Sequence, residues 1–172
     1  MLGNGALYQK EDVKVLIIYT LSQLNRAIPT RIMVDMFLNT DLVEYFTLAQ
    51  SINELIETGH LAVDEEQGVV VLTRLGYEAS DALYRSLPLY ARERALKGAL
   101  GLLARLERKA AISTRTVEQD GKFIAQCTLM DHDDVLLKME LFMPSYELSR
   151  AVEDKFEKDA FDLYQTIIKK LS

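Results

Sequence analysis

The stretch FTLAQSINELIETGHLAVDEEQGVVVL, residues 46–72, decides how this chain is expected to fold. Its first half predicts a helix, because Leu48, Ile52 and Leu55 recur at helical spacing and so share one face. Gly59 can adopt the left-handed conformation that ends such a helix. In the second half, two runs of β-prone residues flank the turn sequence DEEQG. The stretch therefore predicts a helix followed by a two-stranded hairpin.

The charge of this part of the chain is one-sided. Residues 41–68 contain seven acids and neither Lys nor Arg, whereas residues 69–110 carry eight bases against four acids. The formal net charge of the whole chain is −6. Because the attraction of a charged partner depends on which surface carries which sign, this uneven distribution says more about partners than the sum does.

The composition is that of an ordinary globular protein, with 49% hydrophobic and 27% charged residues in a chain of 172. No apolar run approaches the roughly 18 residues needed to cross a bilayer, and the N-terminus lacks the features of a signal peptide. We therefore expect a cytoplasmic location and no membrane partner. The single cysteine, Cys127, lies among strand-like residues and is expected to be a small buried hydrophobe.

Two further helices are predicted before the opening stretch. Asp12 can cap the first, and Pro29 ends it because proline cannot continue the hydrogen-bond ladder. Thr30 can cap a short second helix, in which Met33 and Met36 are expected to fill the core.

Capping residues also mark the third and fourth helices. Thr47 followed by Gln50 fits a capping box at the start of the third helix, and Thr73 can begin a fourth helix after the hairpin. The resulting order of helix, helix, helix, hairpin and helix is typical of a winged helix.

A long helix is predicted from Pro88, which suits a first helical turn, to about Ala110. Gly98 and Gly101 suggest a close backbone contact or a bend on one side of it, because each destabilises a helix interior by roughly 1 kcal/mol relative to Ala. The other side carries an apolar stripe that either packs within the chain or meets a partner helix from a second subunit. The predicted dimer-interface residues on this stripe are Leu89, Leu96, Leu100 and Leu103.

The last third of the chain changes to a period of two. The dipeptide Asp120-Gly121 predicts a hairpin between two strands, and a third strand follows, in which apolar residues alternate from Val135 to Met143. Ser145 can cap a final helix whose apolar stripe, residues 148–171, is expected to cover the sheet.

We thus predict an α+β chain in three parts. The first is a winged-helix domain over residues 8–86, and the second is a long linking or dimerisation helix over residues 87–110. The third, residues 111–172, is a small three-stranded antiparallel sheet with a C-terminal helix.

Several runs carry a family resemblance. The sequences VLIIYTLSQL, residues 15–24, YFTLAQSINELIETGHL, residues 45–61, and LTRLGYEA, residues 72–79, resemble the winged-helix transcriptional regulators. Together with LPLYARER, residues 87–94, and the strand-rich tail, they are similar to one bacterial family catalogued mainly as a domain of unknown function. The resemblance implies a winged-helix fold, and it implies no particular ligand or catalytic residue.

The sequence offers little for catalysis. His60 and His132 share no motif with Cys127 or with a serine, and there is no glycine-rich phosphate loop. The acidic run at residues 131–134 is read as a polar turn between two strands, with a metal site as the alternative. We therefore expect neither an enzyme nor a cofactor or bound metal.

Two functions remain, and the first is a regulator that binds double-stranded DNA as a homodimer. Its third helix would read the major groove, with amide groups facing adenine edges and a carboxylate accepting from cytosine. Phosphate contacts would come from bases outside the acidic stretch, the nearest of which are Lys10, Lys14, Arg26, Arg31 and Arg74. The predicted DNA-binding residues are Thr47, Gln50, Asn53, Glu54, Arg31 and Arg74.

The second function is a winged helix used as a protein-interaction module, whose acidic surface does not bind DNA. The acids Asp64, Glu65 and Glu66 favour it, because they would repel phosphates at the hairpin. The DNA sequence, any small-molecule effector and the surface that forms the dimer stay open.

Overall fold

The computed structural model of the protein describes Leu7 and residues 9–172, so Tyr8, where the predicted first domain begins, lies outside the described residues. The chain divides into two compact units, one ending at Leu103 and the other beginning at Ala104. This division falls inside the long helix Leu89–Ala110. The class is α+β, with two three-stranded antiparallel sheets.

The first unit is mainly helical. In chain order its elements are α1 (Lys10–Leu24), β1 (Ile28–Pro29), α2 (Thr30–Met33), α3 (Asp35–Leu38), α4 (Tyr45–Glu57), β2 (Leu61–Asp64), β3 (Val69–Leu72), α5 (Arg74–Leu83) and a single 3₁₀ turn (Tyr84–Ser86). Helix α1 packs against both α4 and α5, and its side chains Leu16, Ile17 and Leu21 are fully buried between them. Burial of such side chains is the main source of stability for an element of this kind.

The hairpin β2–β3 is joined by a third strand, β1, that was not predicted from the sequence. Strand β1 has only two residues, Ile28 and Pro29, which pair with Val70 and Val69 on the free side of β3. Proline is tolerated there because β1 is an edge strand and needs no inward N–H at that residue. The N–H of Thr30 donates to the carbonyl of Gly68 at 2.9 Å, which ties the start of α2 to the hairpin turn.

Three predicted helix starts are wrong. Helix α1 begins at Lys10 after Gln9, so Asp12 lies in its first turn instead of capping it. Thr30 is already the first residue of α2, whose N-cap is Pro29. The capping box at Thr47 does not form, because α4 starts two residues earlier, at Tyr45, and no side chain caps it.

Several other local predictions in this unit are confirmed. Gly59 ends α4 with φ of +75°, and the N–H groups of Gly59 and His60 donate to Ile56 and Leu55, the pattern of a Schellman motif. Thr73 caps α5 by accepting the N–H of Gly76 at 3.2 Å. Met33 and Met36 are buried in the core, although the predicted second helix is divided into α2 and α3.

The long helix α6 (Leu89–Ala110) belongs to both units. Pro88 stands just before it and accepts the first helical hydrogen bonds. Gly98 confirms the predicted close approach, since a Cβ there would lie 2.7 Å from the Thr40 methyl group, whereas a Cβ on Gly101 would meet open space.

The second unit is a meander covered by one helix. After α6 come β4 (Ile112–Gln119), β5 (Lys122–Asp131), β6 (Asp134–Met143) and α7 (Tyr146–Leu171). The strands pair antiparallel in the order β4-β5-β6, and α7 packs on this sheet, as the sequence predicts. Asp120 and Gly121 both take positive φ in the tight turn between β4 and β5, and Ser145 caps α7 by accepting the N–H of Leu148 at 3.3 Å.

Two details of the predicted apolar faces are wrong. The register between β5 and β6 shifts near Leu129, so Leu136 has no paired residue and Val135, beyond it, is exposed. The side of α7 that is buried consists of Ser149, Glu153, Phe156 and Ala160, whereas the apolar residues Leu148, Ile168 and Leu171 of the predicted stripe are exposed. Cys127 is buried as predicted.

None of the described helices combines the length and apolarity that spanning a bilayer requires.

Candidate nucleic-acid interface

The outer face of α4 is the surface to which the sequence assigned DNA reading. Leu48, Ile52 and Leu55 are buried on its inner face, as the spacing requires. Gln50 and Asn53 are exposed on the outer face. Their amides each offer a donor and an acceptor to whatever this face meets.

An aromatic pair precedes these amides in the first turn of α4. Tyr45 is 52% exposed and Phe46 is 76% exposed, and their rings meet edge to face with centroids 5.5 Å apart. Phe46 lies four residues before Gln50 and seven before Asn53, so the three side chains share one face. A helix that begins at Thr47, as the sequence predicts, leaves this pair outside it, whereas α4 begins at Tyr45.

Glu54 is not free on this face. The ammonium groups of Lys10 and Lys14, both on α1, contact its carboxylate, Lys14 at 3.0 Å. Gln50 also donates to it through Nε2 at 3.3 Å. The hydrogen bonds from Lys10 and then Lys14 hold the pKa of Glu54 below its usual value of 4.5. The carboxylate is therefore ionised and already paired with Lys10, Lys14 and Gln50. Few of its acceptor positions remain for an amino group of cytosine.

This network changes the charge of the α4 surface. Within its own sequence stretch α4 carries no cation, but the packing of α1 against α4 brings two lysines to its side. Two ammonium charges against one carboxylate leave a net positive charge beside Gln50. The acidity of residues 41–68 is thus partly offset by the fold.

The hairpin tip remains acidic. The carboxylate of Asp64 has a structural role, since its Oδ1 accepts the N–H of Gln67 at 2.9 Å across the turn. Glu65 and Glu66 are exposed at the tip, and within residues 9–172 no cation pairs with either. Two uncompensated negative charges therefore project from the loop between β2 and β3.

The remaining predicted DNA contacts are scattered. Thr47 is half-buried inside α4, and its carbonyl accepts the hydroxyl of Ser51 at 2.6 Å. Arg31 is exposed on α2. Arg74 lies at the start of α5, where its Nε donates to Glu78 at 2.8 Å. Only Gln50, Asn53 and Glu54 share the outer part of α4.

Of the four predicted dimer residues on α6, only Leu103 lies on its buried face. That face consists mainly of alanines, namely Ala91, Ala95 and Ala99, followed by Leu102 and Leu103. Leu89 is 60% and Leu100 is 52% exposed, and Leu96 is half-buried. Three of the four predicted leucines thus leave apolar surface uncovered in a single chain.

The acidic run at residues 131–134 forms the turn between β5 and β6, in which Asp131 pairs with Asp134 and His132 takes a φ of +52°. His132 Nδ1 lies 2.9 Å from Asp131 Oδ1. In the described part of the chain, no three His, Cys, Asp or Glu side chains come together closely enough to hold a metal ion.

The model of a family described as Domain of unknown function (DUF4364) matches residues 13–171. No curated protein matches the chain, and no solved structure matches it.

Proposed function

The chain belongs to the DUF4364 family, and from its own residues we propose that it is a DNA-binding transcriptional regulator with a winged-helix N-terminal unit. In this proposal α4 enters the major groove and the β2–β3 hairpin is the wing. The observation that carries it is the contact of Lys10 and Lys14 with the side of α4, because phosphate neutralisation supplies most non-specific affinity. The function is binding alone, without a catalytic step.

Base readout is assigned to three exposed side chains of α4. Gln50 and Asn53 can each make a bidentate contact with an adenine edge. Phe46, one turn before Gln50, can contact the methyl group of thymine. Lys10 and Lys14 would position the helix by contacting phosphates, which carry no sequence information.

The first experiment tests base readout. The parent protein and a variant with Gln50→Ala and Asn53→Ala are titrated against a labelled pool of genomic fragments. The variant should lose about 1 to 3 kcal/mol per bidentate contact at the preferred fragment and little elsewhere. Gln165→Ala on α7, where the side chain is also exposed, is the matched control and should bind as the parent does.

The second experiment tests the charges. Replacing Lys10 and Lys14 by Ala should weaken binding to every duplex and flatten its salt dependence, because fewer counterions are released. Replacing Glu65 and Glu66 by Lys should strengthen binding to every duplex and steepen its salt dependence. If the parent selects no fragment and only the lysine-bearing hairpin binds DNA, the regulator proposal fails.

One observation favours the alternative, a protein-interaction module. Tyr45 and Phe46 expose two aromatic rings side by side, and aromatic residues are enriched at protein interfaces. The two functions differ in how they depend on Phe46. In a DNA reader, Phe46→Ala should weaken binding only at sites with a thymine at the contacted position.

A winged-helix regulator commonly reads two half-sites as a homodimer. The sequence places the dimer interface on the leucines of α6, of which Leu89 and Leu100 are exposed. If α6 forms the interface, substituting Leu96 and Leu100 by Asp should dissociate the dimer, and a variant that stays dimeric would move the interface elsewhere; sedimentation at micromolar concentration is the measurement.

A further inference from the structure

Strand β6 is an open edge of the second sheet. It pairs with β5 on one side only, and no backbone hydrogen bond from the described residues reaches its other side. Its ten residues extend for roughly 33 Å, at about 3.3 Å per residue. Exposed edge strands are normally short, bulged, charged or covered, because a long open edge tends to pair with a strand of another chain.

The residues of β6 mirror one another about Met139. Reading outward from Met139 in the sequence VLLKMELFM, residues 135–143, each apolar residue has an apolar counterpart on the other side. The one charged pair, Lys138 and Glu140, consists of opposite charges. An antiparallel copy of the strand would therefore place Lys138 opposite Glu140 twice and Leu137 opposite Leu141 twice. The bulge at Leu136 lies outside this central stretch of five regular residues.

On the polar side of the sheet, a row of hydrogen bonds already leads to Glu140 on β6. Arg115 donates through Nε to Gln126, and Gln126 donates through Nε2 to Glu140 at 2.9 Å, which forms a row across all three strands. Lys138 is exposed beside this row and has no ion-pair partner among the described residues. Lys138 of a second copy would extend the row beyond Glu140.

The side of the sheet that faces α7 offers an apolar complement. A groove of about 660 Å³ runs between the β6 edge and α7. An added strand would place the paired Leu137 and Leu141 side chains over the opening of this groove. The larger apolar residues that line the groove are Met139, Met143, Leu148, Val152, Phe156 and Leu163, and Lys155, Asp159 and Asp162 of α7 also line it.

We propose that the chain forms a homodimer through antiparallel pairing of β6 with β6 of a second copy, with the two-fold axis at Met139. The two sheets then join into one of six strands, and both unpaired edges are satisfied at once. The charge match between Lys138 and Glu140 selects a second copy over an unrelated strand. This surface is distinct from the leucines of α6, and its test needs no DNA.

Charge reversal tests the pairing. Lys138→Glu alone, or Glu140→Lys alone, turns both symmetric attractions into repulsions, and each should raise the dimer dissociation constant about tenfold or more. The double variant Lys138→Glu with Glu140→Lys should bring the constant back to within about threefold of the parent. Sedimentation equilibrium at micromolar concentration measures all four proteins, and far-UV circular dichroism checks that each is folded.

Two controls locate the interface. Lys122→Glu reverses another exposed charge in the same sheet, at the β4–β5 turn, and should leave the dimer unchanged. The variant with Leu96→Asp and Leu100→Asp should also remain dimeric. A monomeric parent, a dimer indifferent to both single reversals, or a dimer abolished only by the α6 variant would each overturn the proposal.

Crosslinking tests the register. With the two-fold axis at Met139, Met139→Cys faces itself across the interface and should form a disulfide-linked dimer under mild oxidation. Val135→Cys faces Met143 of the second copy and should not crosslink. The natural thiol, Cys127, is buried and should stay unreacted in both. Crosslinking of Val135→Cys in preference to Met139→Cys would overturn the proposed register.

Discussion

Each of the two units has a glutamate within a helix whose carboxylate is paired with a neighbouring element, and the two carboxylates have different roles. Glu54 of α4 lies at the surface, where Lys10, Lys14 and Gln50 reach it from solvent-accessible positions. Glu153 of α7 is 1% exposed and faces the sheet. The first carboxylate offsets the charge of two lysines at the surface of α4, and the second joins a helix to a strand.

The surroundings of Glu153 explain how a carboxylate can be buried there. Its Oε1 accepts the hydroxyl of Thr116 on β4, and its Oε2 accepts Nη1 of Arg150 at 2.5 Å. The hydroxyls of Thr116 and Ser149 lie 2.8 Å apart, which extends the network. Burial, and next the charge of Glu153, raises the pKa of the nearby Cys127 thiol. Since a buried charge without partners is costly, this network stabilises α7 on the sheet in one position.

The comparison shows that burial decides what a charge network does. Lys10 and Lys14 keep about a third of their side-chain surface in solvent, so their contact with Glu54 is screened and open to exchange with ions from solvent. The network of Glu153 cannot be exchanged without exposing the interior of the second unit. Four predictions test the two units, from the largest expected effect to the smallest.

Removal of the buried carboxylate should have the largest effect. Glu153→Ala should lower the free energy of unfolding by about 2 to 3 kcal/mol, because the hydroxyl of Thr116 loses a charged acceptor in a buried position. Urea unfolding followed by circular dichroism measures it. Glu153→Gln keeps an acceptor of similar shape and should destabilise less. A loss below about 0.5 kcal/mol for Glu153→Ala would contradict the structural role.

Removal of either of the two N-caps should lower the free energy of unfolding by an intermediate amount. The two losses should be similar, although the caps lie in different units. Thr73→Ala and Ser145→Ala each remove an acceptor of a helical N–H and should lower the free energy of unfolding by about 1 kcal/mol. Hydrogen exchange should localise the loss to α5 in one variant and to α7 in the other. Faster exchange throughout both units in either variant would show that the units unfold together.

Substitution of the surface glutamate, Glu54, should have a smaller effect on stability, and this effect should depend on pH. The lysines hold the pKa of Glu54 below 4.5 in the folded state, so its contribution to stability is present above that value and is lost as the pH falls through the folded pKa. The thermal midpoint of Glu54→Gln should therefore lie slightly below that of the parent at neutral pH and converge with it in acid. A difference that grows in acid would reverse the sign of this contribution. The same variant should bind DNA more tightly, since both lysines are released.

The smallest effect on stability is expected at Arg74. Its ion pair with Glu78 is almost fully exposed, so Arg74→Ala should change the free energy of unfolding by less than about 0.5 kcal/mol. Weaker DNA binding by the same variant would then report a phosphate contact and not a damaged fold. A matched Lys155→Ala variant on α7 removes a comparable exposed pair and should leave DNA binding unchanged.

The features that could be predicted from sequence are those decided by one or two neighbouring residues. The Asp120-Gly121 turn follows from the ease with which both residues adopt positive φ, and the end of α4 follows from Gly59. The caps Thr73 and Ser145 need only a backbone N–H three residues away. Periodicity likewise predicted the meander and the helix that covers it.

Tertiary structure decided the rest. Strand β1 exists because β3 has a free side for Ile28 and Pro29, and α6 buries its alanines where close packing favours small residues over leucines. Glu54 follows Asn53 and Glu153 follows Val152, and neither neighbour determines whether the carboxylate is at the surface or buried. The partners of each carboxylate on other elements, Lys10 and Lys14 on α1 and Thr116 on β4, are distant in sequence. Burial and charge pairing depend on elements that meet only when the chain folds, whereas turns and caps depend on the backbone beside them.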